Sequence, residues 1–200
     1  MLITYPARPL DGGPMQHALP KPGVWFVEPK INDWRAMVHV PSLTMFNRQG
    51  EPFSIADKFT PALERLKNLP FEWLDVLALE RRHSIGRGSL ILMDWIFPKI
   101  GTGCDYVFRR KQLELECLSE SIPKHSPLNE KIASNSVLLM PSFKAVEAAN
   151  LYTHLQRCNK ELGEEFYEGV VMKKGSAPYP AQLRDPDLKT AYWVKHRWHF

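Results

Sequence analysis

The sequence predicts an α+β domain with substantial antiparallel sheet. Two observations carry this. Short apolar runs of strand length recur from one end of the chain to the other, several of them alternating with polar residues. Apolar residues at helical spacing are confined to a few stretches set between those runs.

Residues 6–22 hold five prolines and two adjacent glycines, which predicts an extended arm (residues 1–22) wrapping the domain rather than a helix. Residues 23–27 are apolar and β-prone and stop at Glu28-Pro29. Residues 34–40 set Trp, Ala and Val against Arg, Met and His, as a strand with one packed face does. Pro41-Ser42 marks a turn, and residues 43–46 start another short strand. Phe59, Leu63 and Leu66 predict a helix within 56–68 that ends before Pro70. Residues 71–79 are strand-like. The Gly-rich turn at 84–89 leads into 90–96, a continuous apolar run typical of a buried strand. Residues 98–103 read as loop, 106–118 and 143–162 as helices, 137–140 as a strand between them, and 168–172 and 191–195 as the last strands.

The chain's 200 residues fit one domain spanning 1–200, large enough to bury a core without staples. Twenty-six basic against 22 acidic residues give +4, which permits a nucleic-acid partner without demanding one. Three cysteines with no Cys-x-x-Cys pair argue against a disulfide scaffold or zinc cluster and fit a reducing cytoplasm. No apolar run is long enough to span a membrane, and the N-terminus lacks a signal-peptide pattern.

The chemistry-bearing stretches are spread along the chain. Lys30 sits where a β run ends, between Glu28 and Asp33, with Arg35 following. A nucleophilic lysine needs neighbours that lower its pKa or orient it, such as metal ions or cationic side chains. Asn47-Arg48-Gln49-Gly50 reads as a tight turn in which Gly50 supplies a positive φ. Glu80 closes an apolar run, with Asp75 as the competing acid, and Met93-Asp94 interrupts the next. In Glu168-Gly169-Val170-Val171-Met172-Lys173, period-two geometry places Glu168, Val170 and Met172 on one face and Lys173 on the other. In Trp193-Val194-Lys195-His196-Arg197, the cations Lys195 and Arg197 share a face.

In order and rough spacing, these segments resemble the motifs of covalent nucleotidyltransferases, the superfamily of ATP-dependent DNA ligases, RNA ligases and capping enzymes. Lys30-Ile31-Asn32-Asp33-Trp34-Arg35 is similar to the ligase motif Lys-x-Asp-Gly-x-Arg, with Asn32 in place of Asp and Asp33 in place of Gly. The resemblance implies an ATP-grasp-like ligase adenylation domain: two antiparallel β-sheets flanked by helices, with the nucleotide cleft between them. It implies Lys30 as the nucleophile that becomes lysyl-AMP. Glu28 would read the base and Met93 would lie against it. Arg35, Arg48 and Glu80 would contact ribose or phosphates, and Lys173, Lys195 and Arg197 would complete the nucleotide site. Glu168 and Glu80 would face metal. ATP and Mg²⁺ (or Mn²⁺) are the implied cofactors, and nicked duplex DNA, or RNA, the implied partner, in DNA repair or replication.

The family's usual OB-fold domain is not expected after Arg197. The corresponding expectation is a monomer with weak, salt-sensitive nucleic-acid binding that is a minimal catalytic core, is clamped on DNA by an accessory partner, or is one domain of a longer chain. The alternatives are an RNA ligase, a GTP-using capping enzyme, and a degenerate, non-catalytic nucleotide- or nucleic-acid-binding module.

Overall fold

The computed structural model describes residues 5–15, 23–80, 82–96, 103–127, 132–182 and 187–198. In chain order the elements are β1 (Tyr5–Pro6), β2 (Arg8–Asp11), β3 (Trp25–Ile31), β4 (Trp34–His39), β5 (Thr44–Phe46), α1 (Thr60–Glu64), β6 (Trp73–Leu79), β7 (Ser89–Ile96), α2 (Tyr106–Ser119), β8 (Val137–Leu139), β9 (Phe143–Lys144), α3 (Ala148–Leu162), β10 (Tyr167–Lys174), β11 (Ala181–Gln182) and β12 (Lys189–Arg197).

These build two five-stranded sheets, β2-β12-β10-β3-β9 and β5-β4-β6-β7-β8, and a small β1-β11 ribbon. Both sheets are mixed rather than purely antiparallel. β7 and β8 run parallel because the chain between them crosses over through α2. β2 lies parallel to β12, a pairing that no short turn constrains. Part of the expected arm is therefore sheet: β1 and β2 both pair, and Tyr5 is buried. The rest of the arm (1–4, 16–22) and most of the expected 98–103 loop lie outside the described residues.

Three elements differ from the sequence expectation for local reasons. β3 runs through Pro29 instead of stopping before it. Pro29 pairs with Val170 on one side, whereas β9 covers only Phe26 and Val27 on the other, so the missing N–H faces an open edge. The helix expected over 56–68 is a 3₁₀ turn (Ala56–Phe59) followed by α1, with Pro61 in the first turn, where it removes no helical hydrogen bond. The helix expected over 143–162 begins as β9 and a 3₁₀ turn (Ala145–Glu147), because Phe143 and Lys144 extend the sheet beside β3.

α3 lays Leu151, Leu155 and Cys158 on Val27, Ile31, Val170 and Met172, the outer face of the first sheet. Each such buried side chain stabilises by about 1.5–3 kcal/mol. Phe59, Leu63, Leu66 and Leu113 cover Ala36, Val38, Leu74 and Leu92 on the outer face of the second. The inner faces meet across a cleft. No described helix is long and apolar enough to cross a membrane.

Candidate active site

The cleft is a cavity of about 390 Å³, within the usual range for small-molecule sites. Register decides what enters it. On β3, β10 and β12, Glu28 lies opposite Val171 and Val171 opposite Lys195, while Lys30 lies opposite Gly169 and Gly169 opposite Arg197. Glu28, Lys30, Val171, Lys173, Trp193, Lys195 and Arg197 therefore line one wall. Arg35, Leu77 and Met93 line it from the second sheet, joined by Asp33, Arg48, Met140, Tyr5 and Arg8.

Lys30 forms an ion pair with Glu168. Burial is the chief influence on its amine and lowers the pKa. Glu168 opposes that shift, and Arg197 and Lys195 add to it; the net is an amine below the ordinary lysine value. Strict alternation would put Glu168 on the Val170 and Met172 face. The β10–β3 register instead slips between Tyr167 and Gly169, and this bulge turns Glu168 to the Lys30 side. Gly169 has φ +147°, and a Cβ there would lie 2.8 Å from the His196 carbonyl carbon and closer still to its oxygen. Only glycine fits.

At the other end, the buried Lys173 ammonium lies 2.8 Å from Glu28 and over the rings of Trp193 and Tyr106, 5.0 and 5.2 Å from their centroids. The Tyr106 hydroxyl donates to Glu28 at 2.7 Å. Arg35 grips the fully buried Asp75 with two nitrogens, its Nε at 2.7 Å, and lies 4.8 Å from the Trp193 ring centroid. The Tyr179 hydroxyl donates to the same Asp75 at 3.1 Å. Met93 faces the cavity. Asp94 is buried away from it against Arg109, at 2.9 and 3.1 Å.

Glu80 is not brought into the cavity lining. Its carboxylate accepts the Gly88 N–H at 3.0 Å, holding the turn before β7. The competing acid Asp75 is spent on Arg35. Asp33, in the place of the motif's glycine, does line the cavity. It accepts N–H groups of Trp34 at 2.8 Å and Glu80 at 3.3 Å. Burial holds its carboxyl above the usual range despite those donors. Tyr106 and Tyr179 carried no local sequence signal, because their partners lie 78 and 104 residues away.

Among the described residues, no three His, Cys, Asp or Glu side chains gather as a metal cluster. Glu168 beside Lys30 still fits Mg²⁺, which takes one or two carboxylates together with substrate phosphates and water.

Neither a protein-family model nor the sequence of a curated protein matches the chain. Solved structures do match. Pmar-Lig_Pre superimposes with TM-score 0.63 at 17% identity, over 97% of this chain and 46% of that one. The ligase domain of M. tuberculosis LigD gives 0.60 at 18%, over 96% and 59%. The Chlorella virus DNA ligase-adenylate gives 0.54 at 13%, over 96% and 67%. The fold is that of these ligase domains. The chain spans about half the length of the first two.

Proposed function

We propose that the chain is the adenylyltransferase core of an ATP-dependent DNA ligase. One observation carries the reading: a lysine amine of lowered pKa, beside a carboxylate, in a cavity whose wall also presents Lys195 and Arg197. The neutral Lys30 Nζ attacks the α-phosphorus of ATP. A P–N bond forms, the P–O bond to pyrophosphate breaks, and Glu168 is placed to take the amine proton. Lys195 and Arg197 hold the charge that develops on the phosphoryl oxygens. Glu28 with Lys173 and Met93 forms the base end, and Arg35 and Arg48 the opposite wall. Mg²⁺, held through Glu168, would neutralise phosphate charge. The AMP then passes to a nucleic-acid 5′-phosphate, and a 3′-hydroxyl displaces it to seal the nick.

The test is sealing of a labelled nicked duplex with ATP and Mg²⁺. Product on DNA is the expected result. Product on RNA alone would move the assignment to RNA ligases, and no product on either would remove the sealing step.

The pH dependence is also fixed in sign. Adduct formation follows the neutral amine, so its rate rises with pH and levels off below the ordinary lysine value of about 10.4. Glu168 favours the charged amine. Glu168→Gln therefore shifts the midpoint of a single-turnover pH profile to lower pH, and an upward shift would contradict the arrangement.

A further inference from the structure

The two cations on the β12 wall already hold an anion from the chain's own arm. One carboxylate oxygen of Asp11, the last residue of β2, lies 3.3 Å from the Lys195 ammonium and 3.0 Å from the Arg197 guanidinium. Its other oxygen accepts the Gly13 N–H at 3.2 Å. The backbone sets this contact. β2 runs parallel to β12 with Asp11 opposite Lys195, and the Gly12 N–H donates to the Lys195 carbonyl at 2.9 Å. A Cβ on Gly12 would lie 2.5 Å from the His196 ring, so the arm passes as close to β12 as a glycine allows. Arg8 and Pro9 of the same strand line the cavity together with Lys195 and Arg197, whereas Asp11 stands outside that lining.

We infer that Asp11 is an internal competitor of the nucleotide phosphate: it holds Lys195 and Arg197 until a phosphate displaces it, and so sets how tightly phosphorylated nucleotides bind. The inference rests on the nucleotide-binding reading above. Two observations make the contact exchangeable. The three side chains keep between 24% and 35% of their surface exposed, and ion pairs in contact with water are weak and screened. The Arg197 guanidinium is also incompletely used: its Nε is buried and has no hydrogen-bond partner among the described residues. A phosphate offers more charge and more acceptor oxygens than one carboxylate, and a guanidinium engages it with two nitrogens at once.

The experiment compares AMP with adenosine by calorimetry, on the wild type, Asp11→Asn and Asp11→Ala. AMP has no pyrophosphate leaving group, so chemistry cannot start, and adenosine has no phosphate to compete. Asparagine removes the charge but keeps an acceptor for the Gly13 N–H. Both variants should bind AMP about twofold to thirtyfold more tightly than the wild type, the worth of two partly exposed ion pairs. Adenosine should bind all three proteins alike. AMP affinity that is unchanged or weaker in Asp11→Asn, with adenosine unchanged, overturns the inference; a weaker value would make Asp11 a positioning residue for the two cations. Weaker binding of both ligands in both variants overturns it too, because the arm would then support the site rather than compete with its ligand. A wild-type chain that binds neither ligand would overturn the underlying reading and this inference with it.

Discussion

Gly169→Ala should cost the fold roughly 4 kcal/mol, a large share of the ~5–15 kcal/mol that holds a typical domain together. The residue combines two constraints. Its φ of +147° lies where side chains are rarely tolerated, and its missing Cβ is replaced by the backbone of His196 and Arg197. No rotamer change can relieve a clash with a main chain. β10 and β12 would have to separate at the point where Lys30, Gly169 and Arg197 lie side by side. The bulge that turns Glu168 toward Lys30 would go with them. For a chain of this size the unfolding temperature should drop by roughly 10 °C, read by thermal denaturation. A drop of a degree or two would show that the strands can yield there.

Arg109→Met should be about as severe, at about 3–5 kcal/mol, because it leaves Asp94 buried without its counterion. The guanidinium also donates to the carbonyls of Cys104 and Ala177, so one substitution strands several acceptors. The pair ties β7 to α2 directly behind Met93, which links this core defect to the cavity wall. The sign with pH follows from the carboxyl. In the wild type, burial alone would raise the Asp94 pKa, but Arg109 and Lys173 outweigh it and hold it below the usual range. Its stabilising contribution is therefore present above the unfolded value of about 3.9 and lost as pH falls through the depressed folded value. Without Arg109 burial dominates and the carboxyl rises. The variant's deficit, measured in denaturant, should then shrink as acid protonates Asp94. The double change Asp94→Leu with Arg109→Met should recover part of the loss, since no lone charge remains. A deficit that is constant with pH would contradict the pairing.

Much of this arrangement was legible in the sequence because it lies within single strands. The alternation over 34–40 and the apolar run over 90–96 are properties of local residues, and both segments are strands. Glu28, Lys30, Arg35, Arg48, Met93, Lys173, Lys195 and Arg197, singled out from short motifs, all line one cavity. What stayed hidden depends on contacts between distant segments. Period-two counting put Glu168 on the wrong face, because a bulge is a property of a strand pair and not of one strand. Glu80 had the expected residue type at the expected distance, yet it answers to the Gly88 N–H across its own turn. The parallel edges reflect a crossover through α2 and a strand arriving from the chain's start. Asp33, which breaks the motif, is accommodated by the N–H groups of Trp34 and Glu80, the second of them 47 residues away.

The central claim is that Lys30 is a nucleophile for a nucleoside triphosphate, and intact mass spectrometry reads it directly. The protein is incubated with ATP or GTP plus Mg²⁺, alongside Lys30→Ala. A gain of one adenylyl group with ATP, mapped to the Lys30 peptide and absent from the variant, is the expected result. A guanylyl adduct instead would point to capping chemistry, and no adduct with either nucleotide in folded protein would rule out Lys30 as the nucleophile.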